Sequence, residues 1–547
     1  MKHRFLALLI LSVLSVGAIS GCSTAQSVTL SPSGENDTSA IQDAISSLKK
    51  GGVLNLAQGT YYVSETININ KKDNVTIKGD NAIIVRKDID ASTVTIKDCV
   101  IINLYKSSKV KMSGITFKYD GLTSLSGTVA ECDAGNGKVY IKPYDDFKPT
   151  GKEVYCAFNT FDNEGNPDTK LEKYKDDGFA QTVMDNGNVC ISGLSYEEVS
   201  RLTEGTPVGL HASLLSDGVI KILDSSDVVF EDITVRNSFS GVFFSGGRTF
   251  NLTLRRVDIS PESDKAYFSS NADGLHIAAI GGKLTVEDCT FIKLGDDCVN
   301  VHGMAYSVTQ LDGNTLTAFM KRYNTNMLAD WAAKGDEIEF YDQATFKLLG
   351  SAKIKKLNAL TGKITFDQLP DGVTDGAVMA NKTLHPSVVI SDCTVKSNRA
   401  RAFLLQTENA VVKNCDISGT RLAAILISPD IDYWYEMSPG RNITITGNTI
   451  TNCGKAAGAA IVTHTSHEMK SNYPADVNKN ITVEGNTFNN CPSAVNATSV
   501  NGLKFNNNTL NGLGDTGVFY AVNTIRCENV EIGENTLNDC SIGLVRD

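Results

Sequence analysis

Two short acidic stretches, NADGLHI at 271–277 and GDDCVNVHG at 295–303, hold the residues with the greatest chemical reach. An offset of 24 residues superposes Leu275 on Val299 and Ile277 on Val301, and it also superposes Asp273 on Asp297. Adjacent parallel strands lie ~4.8 Å apart, so this register predicts two neighbouring carboxylates, and like charges that close raise at least one pKa. Asp296 aligns with Ala272 and leaves a strand-turn junction in another direction. The pattern suits glycoside hydrolysis of the inverting kind, in which one acid protonates the leaving oxygen while another group activates water. A close Asp pair holds the water and the separate Asp delivers the proton. On that reading the Asp296 carboxyl is expected ~6.5–9.5 Å from at least one of the other two. Asp-Gly and Gly-Asp-Asp are also ordinary loop formers. Their matched register, with His276, Asn300 and His302 on outward positions, favours a site over a pair of turns.

Further along, NRARAFLLQT at 398–407 aligns Phe403 and Leu405 with the inward valines, which puts Arg401 in the column of Asp273 and Asp297. Arg399 and Arg401 are therefore candidates to bind a sugar hydroxyl or hold a carboxylate ionised, with a surface salt bridge as the plain alternative. SPDIDYWYE at 428–436 carries Trp434, one of only two tryptophans, beside Glu436. An aromatic face next to an acid suits a pyranose ring, although a capping loop packed on itself would look the same. His464 and His467 form an H-x-x-H that reads as loop rather than metal site, and no metal or other cofactor is expected.

These residues need a scaffold that stacks them. The runs VVFEDITV at 228, LTLRRVDI at 252, LTVEDCTF at 284, VVISDCTV at 388, VVKNCDIS at 411, ITITGNTI at 443, ITVEGNTF at 481, LKFNNNTL at 503 and VEIGENTL at 530 share one pattern. Alternating apolar residues mark strands and the polar pair marks a bend. Spacings such as 252 to 228, 411 to 388 and 503 to 481 are near one coil of a right-handed parallel β-helix, a pectate-lyase-like all-β solenoid. The recurrent Asn-x-Thr triplets fall at the bends and read as stacked turn asparagines, not glycosylation sites.

Residues 34–52 predict a helix with Thr38 or Ser39 at its start and Gly51 and Gly52 at its close, capping the first coil. Two stretches, 121–215 and 304–385, break the period and carry hairpin-like text, so both read as inserted small β modules. The second departs directly after the acidic coils, where it walls a site. The expected organisation is a signal at 1–22, cap and first coils at 23–120, the first insert at 121–215, coils with the catalytic Asp residues at 216–303, the second insert at 304–385, and C-terminal coils at 386–547.

The signal has Lys2 and Arg4, an apolar run from Phe5, and Ile19-Ser20-Gly21-Cys22, which resembles a bacterial lipobox. Cleavage before Cys22 and lipidation of its thiol are expected, giving a protein tethered to the bacterial cell envelope and otherwise in aqueous surroundings. The full 547 residues carry 62 acidic against 51 basic side chains, a net charge of −11, which disfavours nucleic acid as partner. Twelve of the 13 cysteines lie beyond Cys22 and several recur at one position of the repeat. Without any C-x-x-C pair they read as a column of small buried thiols, not zinc ligands.

NADGLH, GDDCVNVHG, NRARAFLLQT and AAILISPDIDYWYE, in this order and with an insert after the second, resemble glycoside hydrolase family 110, the bacterial exo-α-1,3-galactosidases. The resemblance spans most of residues 220–460. It implies an inverting, metal-free hydrolase releasing terminal α-1,3-linked galactose from an oligosaccharide or glycoconjugate. Asp296 would be the general acid, with Asp273 and Asp297 positioning the water. The chain departs from the family pattern at Gly295, Pro429 and Met437. GDDC at 295–298 also fits a polygalacturonase, but the Gly-His-Gly coil and Arg-x-Lys pair of that family are not at the expected place. A polysaccharide lyase with Arg401 as base, or a non-catalytic glycan-binding β-helix, are the other readings.

Overall fold

The computed structural model describes residues 26–545 apart from 90–91, 93–98, 213–214, 329, 465–472 and 516, so Cys22 and His467 lie outside the described residues. Nearly all regular structure is β, and parallel ladders run along the chain one coil per rung. One ladder pairs Ser226–Val235 with Phe250–Arg255, Gly281–Glu287, Ser387–Ser391 and Glu408–Lys413 in turn. The ladder that carries the acidic motifs runs Ser240–Gly246, Leu275–Ala278, Val299–Asp312, Phe403–Leu405, Ile425–Ile427 and Ile461–Thr463. Its inward residues, Leu275, Val299, Phe403, Ile425 and Ile461, are wholly buried and stack one on the next. This stacking ties the register to the apolar set, because slipping by one residue would turn every one of them outward.

Polar stacks accompany the apolar ones. The Asn448 amide donates to Asn486 Oδ1 at 2.9 Å, Asn486 to Asn508 Oδ1 at 3.1 Å and Asn508 to Asn535 Oδ1 at 3.1 Å. A second stack, on the surface, links the triplet asparagines Asn480 and Asn442 to Asn409. Asn442 and Asn480 both have φ of 55°, a bend that asparagine tolerates better than most residues. Cys289, Cys393, Cys415, Cys453 and Cys491 are buried, and the cysteines of the described residues form no disulfide. One register differs from the sequence alignment. Val388 sits over Ala410 and Val389 over Val411, so the coil there is 22 residues long and Cys393 stacks at the level of Cys415.

At the N-terminal end the helix Thr38–Ser47 buries Ile41, Ala44 and Ile45. Thr38 is its first residue instead of its cap, since Asp37 precedes it and is buried, accepting from Ser33 N and Tyr62 N. The helix stops at Ser47 because Leu48 turns extended, before Gly51 is reached. Between residues 124 and 211 the chain leaves the solenoid for a seven-stranded antiparallel sheet, with Pro167–Tyr174 at one edge beside Ala157–Phe161. A second antiparallel sheet grows out of the long strand Val299–Asp312 and ends with Val378–Asn381. It has its own core around Tyr306, Trp331, Phe340 and Phe366. No helix among the described residues is long and apolar enough to cross a membrane.

Candidate active site

The turns before Leu275 and Val299 open into a cavity of about 790 Å³, within the range of small-molecule sites. The register found in the sequence holds, with Leu275 on Val299, His276 on Asn300 and Ile277 on Val301. Asp273 and Asp297 are consequently neighbours across the two coils, and the Asp297 amide donates to Asp273 Oδ1 at 3.0 Å. Asp273, Asp296, Asp297, His276, Asn300, Arg399, Arg401, Trp434 and Glu436 all line the cavity.

Each carboxylate has a different set of partners. Asp273 Oδ2 accepts from His276 Nδ1 at 2.7 Å. Asp297 Oδ1 accepts from the Arg401 amide at 3.0 Å, and Arg401 Nη1 lies 3.2 and 3.1 Å from its two oxygens. Burial pushes the Asp297 carboxyl up while the Arg401 guanidinium pulls it back down, with a net rise. Asp296 reaches Arg399, its Oδ1 3.2 Å from Arg399 Nη2. About 44% of the Asp296 side chain still meets the cavity, whereas Asp273 and Asp297 are almost covered. Desolvation in the concave site, opposed by Arg399 and reinforced by the charges of Asp273 and Asp297, pushes the Asp296 carboxyl up to about 7. A carboxyl with that affinity is about half protonated at neutrality and more so below it, which suits it to donate a proton.

The three Asp residues are closer than the sequence predicted. One oxygen from each lies within 4.8 Å of the others, instead of the expected separation of ~6.5–9.5 Å. The Asp297 amide bond to Asp273 Oδ1 ties the two acidic turns together. Asn398, wholly buried, fixes the Asp296 turn to the following coil by donating to the carbonyls of Asp296 and Arg401, each at 2.7 Å.

His302 is not on the cavity wall. It is buried behind His276, with the two Nε2 atoms 3.2 Å apart. His302 Nδ1 donates to the Gly303 carbonyl at 2.7 Å, so its Nε2 carries the lone pair and accepts from His276. Burial opposes a charge on His276, but the Asp273 hydrogen bond and charge outweigh it and raise its pKa to about 9. Burial lowers the pKa of His302, which stays neutral. The line Asp273, His276 imidazolium, His302 therefore has its protons assigned, and the His276 ring is further fixed by stacking on Phe244 at 5.5 Å and 9°.

Glu436 enters on the short strand Glu436–Met437, paired with Gly303 and Met304, and its Oε1 is 3.8 Å from His302 Nε2. Trp434 is half-exposed at the rim, in edge contact with Tyr433 and covered on one face by Arg322 of the second sheet, 4.3 Å from the ring centroid. Asp430 builds this loop, accepting from the amides of Asp432 and Tyr433 at 2.9 Å and of Trp434 at 3.1 Å. Ser-Pro-Asp is a turn signal that could have pointed to it. Arg399 is bound entirely to protein: to Asp296, the Gly295 carbonyl, Tyr174 and Glu172. Glu172, Tyr174 and Arg421 also line the cavity, and nothing in the sequence singled them out. The departure at Gly295 has a steric counterpart, since a Cβ there would meet His211 Cε1 and Ser270 O at 2.7 Å.

Residues 373–474 match the family described as right-handed β-helix region. Alpha-1,3-galactosidase A of Bacteroides fragilis is 25% identical over 484 residues, covering 80% of this chain and 78% of that protein. Alpha-1,3-galactosidase B of Bacteroides thetaiotaomicron is 29% identical over 45% of this chain and 40% of its own length. Among solved structures, the family 28 exopolygalacturonase of Yersinia enterocolitica superposes with a TM-score of 0.45 at 12% identity, over 95% of this chain and 78% of that one.

Proposed function

We propose that this chain, a divergent relative of the bacterial α-1,3-galactosidases, is an inverting exo-glycoside hydrolase that releases terminal α-1,3-linked galactose. The observation that carries the reading is the division among three clustered carboxyls: Asp296, raised to about 7 and open to the cavity, faces Asp273 and Asp297, which are held by an imidazolium and a guanidinium. Asp296 protonates the glycosidic oxygen as the bond to the leaving sugar breaks. Asp273 and Asp297 orient the water that attacks the anomeric carbon from the opposite face, and one of them takes its proton.

The short spacing of the carboxyls taken alone would suit retention, where ~5 Å is usual. Hydrogen bonding supports inversion instead. Both oxygens of Asp273 and of Asp297 are already engaged, which suits fixing a water and resists the advance of a carboxylate onto carbon. The half-exposed Trp434 ring supplies C–H contacts for the sugar, and the Asn300 and Gln406 side chains line the cavity beside it.

A polygalacturonase needs a cation for the uronate carboxylate, and among the described arginines lining the cavity each is already paired: Arg399 with Asp296 and Glu172, Arg401 with Asp297, Arg421 with Glu172. The lyase reading fails on the same ground, because Asp297 raises the pKa of Arg401 against its burial and leaves it no base. The N-terminal helix serves as a cap to the solenoid, the first antiparallel sheet as a wall of the site through Glu172 and Tyr174, and Cys22 as the lipid attachment that tethers the enzyme to the bacterial envelope. The second insert, expected to wall the site, contributes no lining residue among the described ones and only backs Trp434 through Arg322. Proton NMR of a reaction with Gal-α-1,3-Gal tests linkage and stereochemistry together. β-Galactose as first product is expected; α-galactose first would reverse the mechanism, and an intact disaccharide would remove the assignment.

A further inference from the structure

Four cationic groups reach the cavity wall, and two of them, His276 and Arg401, have a carboxylate of their own, while Arg421 and Arg399 share Glu172. His276 is held by Asp273, Arg401 by Asp297, and Arg421 by Glu172 Oε2 at 2.7 Å. Arg399 is shared. Its Nη2 lies 3.2 Å from Asp296 Oδ1, while its Nη1 donates to Glu172 Oε1 and, at 2.8 Å, to the Tyr174 hydroxyl. Its Nε donates to the Gly295 carbonyl, which fixes the guanidinium in the turn that carries Asp296. Tyr174 closes the arrangement by donating to Glu172 Oε1 at 2.9 Å. Glu172 and Tyr174 come from the edge strand Pro167–Tyr174 of the first antiparallel sheet, far upstream in sequence.

We propose that Glu172 is a positioning residue that keeps Asp296 competent as the proton donor by neutralising Arg399 from behind. The proposal rests on the reading of Asp296 as general acid. A guanidinium 3.2 Å from a carboxyl in a poorly solvated site favours the ionised form strongly, and an ionised Asp296 cannot donate. Glu172 draws that charge away. Burial opposes its ionisation, but Arg399 and Arg421 hold its carboxyl below the usual range, so the counter-charge persists wherever the enzyme works. The other charged or titratable groups facing Asp296 are Asp297 on its own turn, Asp273 and His276 on the preceding coil, Arg401 on the following one and Tyr174 on the inserted sheet. Only Glu172 and Tyr174 among all these arrive from the insert, which gives that sheet a chemical task beyond walling the cavity.

The test is the pH profile of kcat/KM on Gal-α-1,3-Gal for wild type, Glu172→Gln, Glu172→Asp and Arg399→Gln. Glu172→Gln is expected to move the alkaline limb down by about one pH unit or more, since two cations then face Asp296 with one counter-charge removed. Glu172→Asp should keep the limb within about half a unit, and Arg399→Gln should move it up. On an aryl α-galactoside, whose leaving group needs little protonation, the Glu172→Gln loss at high pH should shrink several-fold. If Glu172→Gln does not fold, Arg421→Gln is the substitute: it leaves Glu172 to Arg399 alone and should raise the limb. A rate lowered equally at every pH with the limb unmoved, or limbs of Glu172→Gln and Arg399→Gln that move the same way, would overturn the proposal. A wild type that leaves the disaccharide intact, or a limb that survives Asp296→Asn, would instead remove the parent assignment.

Discussion

The Nε2 atoms of His276 and His302 lie 3.2 Å apart, and only one of the two rings bears the proton between them. His302 is committed by its Nδ1 bond to the Gly303 carbonyl, so His276 is the imidazolium, doubly donating to Asp273 and His302. Its pKa is raised from 6.5 to about 9. A raised folded-state pKa adds stability that is complete below the unfolded value and fades as pH climbs through the folded one. Between pH 6.5 and 9 wild type should therefore lose on the order of 3 kcal/mol relative to His276→Gln, which cannot titrate there. Denaturant unfolding of both proteins at pH 6, 7.5 and 9 measures this. Parallel pH dependences would show that the imidazolium is not there.

Asp296 titrates in the opposite functional sense. Its carboxyl is raised to about 7, so kcat/KM on a natural linkage should fall above neutral pH as the donor ionises. Asp296→Asn should lower kcat by about 10² to 10⁴-fold. Stability moves the other way. The raised carboxyl favours the folded state less and less as pH increases from the unfolded value to about 7, and asparagine has no such term. At pH 8 Asp296→Asn should melt no lower than wild type. A large fall in melting temperature would mean that Asp296 serves the fold first.

Trp434 offers a separable test of binding. The ring is about half-exposed, supports no core and is covered on one face by Arg322. Trp434→Ala should raise KM on oligosaccharides about tenfold with kcat within about twofold, while unfolding free energy stays within about 0.5 kcal/mol. Arg322→Ala uncovers the ring and should change KM without changing kcat. An unaltered KM in both variants would assign the aromatic loop to packing.

How much of this was legible in the chain depends on the range of the interaction. Asp273, Asp297 and Arg401 fall in one column because side chains on consecutive rungs share a parity, and parity is visible in an apolar alternation. Where the alternation is ambiguous, as in AVVK, the alignment slipped by one residue. Outward direction was legible, but His302 lies outward and still buried, because the second sheet and the Glu436 strand cover that end of the rung. Glu172 and Tyr174 were invisible. They reach Arg399 over more than 220 residues through an antiparallel sheet with no repeat, and one glutamate among many carries no local mark.

The buried asparagine stack gives the clearest separation of fold from function. Asn486 donates to the Ile445 carbonyl at 2.9 Å and to Asn508 Oδ1, and its own Oδ1 accepts from the Asn448 amide and backbone. Removing that side chain leaves several buried polar groups unpaired at once, and an unpaired buried group costs more than a hydrogen bond is worth net. Asn486→Ala should therefore lose about 2–4 kcal/mol of unfolding free energy. Asn442 on the exposed stack has water as an alternative partner, so Asn442→Gly, which accepts the positive φ, should stay within about 1 kcal/mol. Neither residue touches the cavity, so kcat/KM per folded molecule should match wild type in both. Equal stability losses would mean that burial does not distinguish the two stacks, and a changed kcat/KM in Asn486→Ala would mean that the asparagine column transmits strain to the acidic coils.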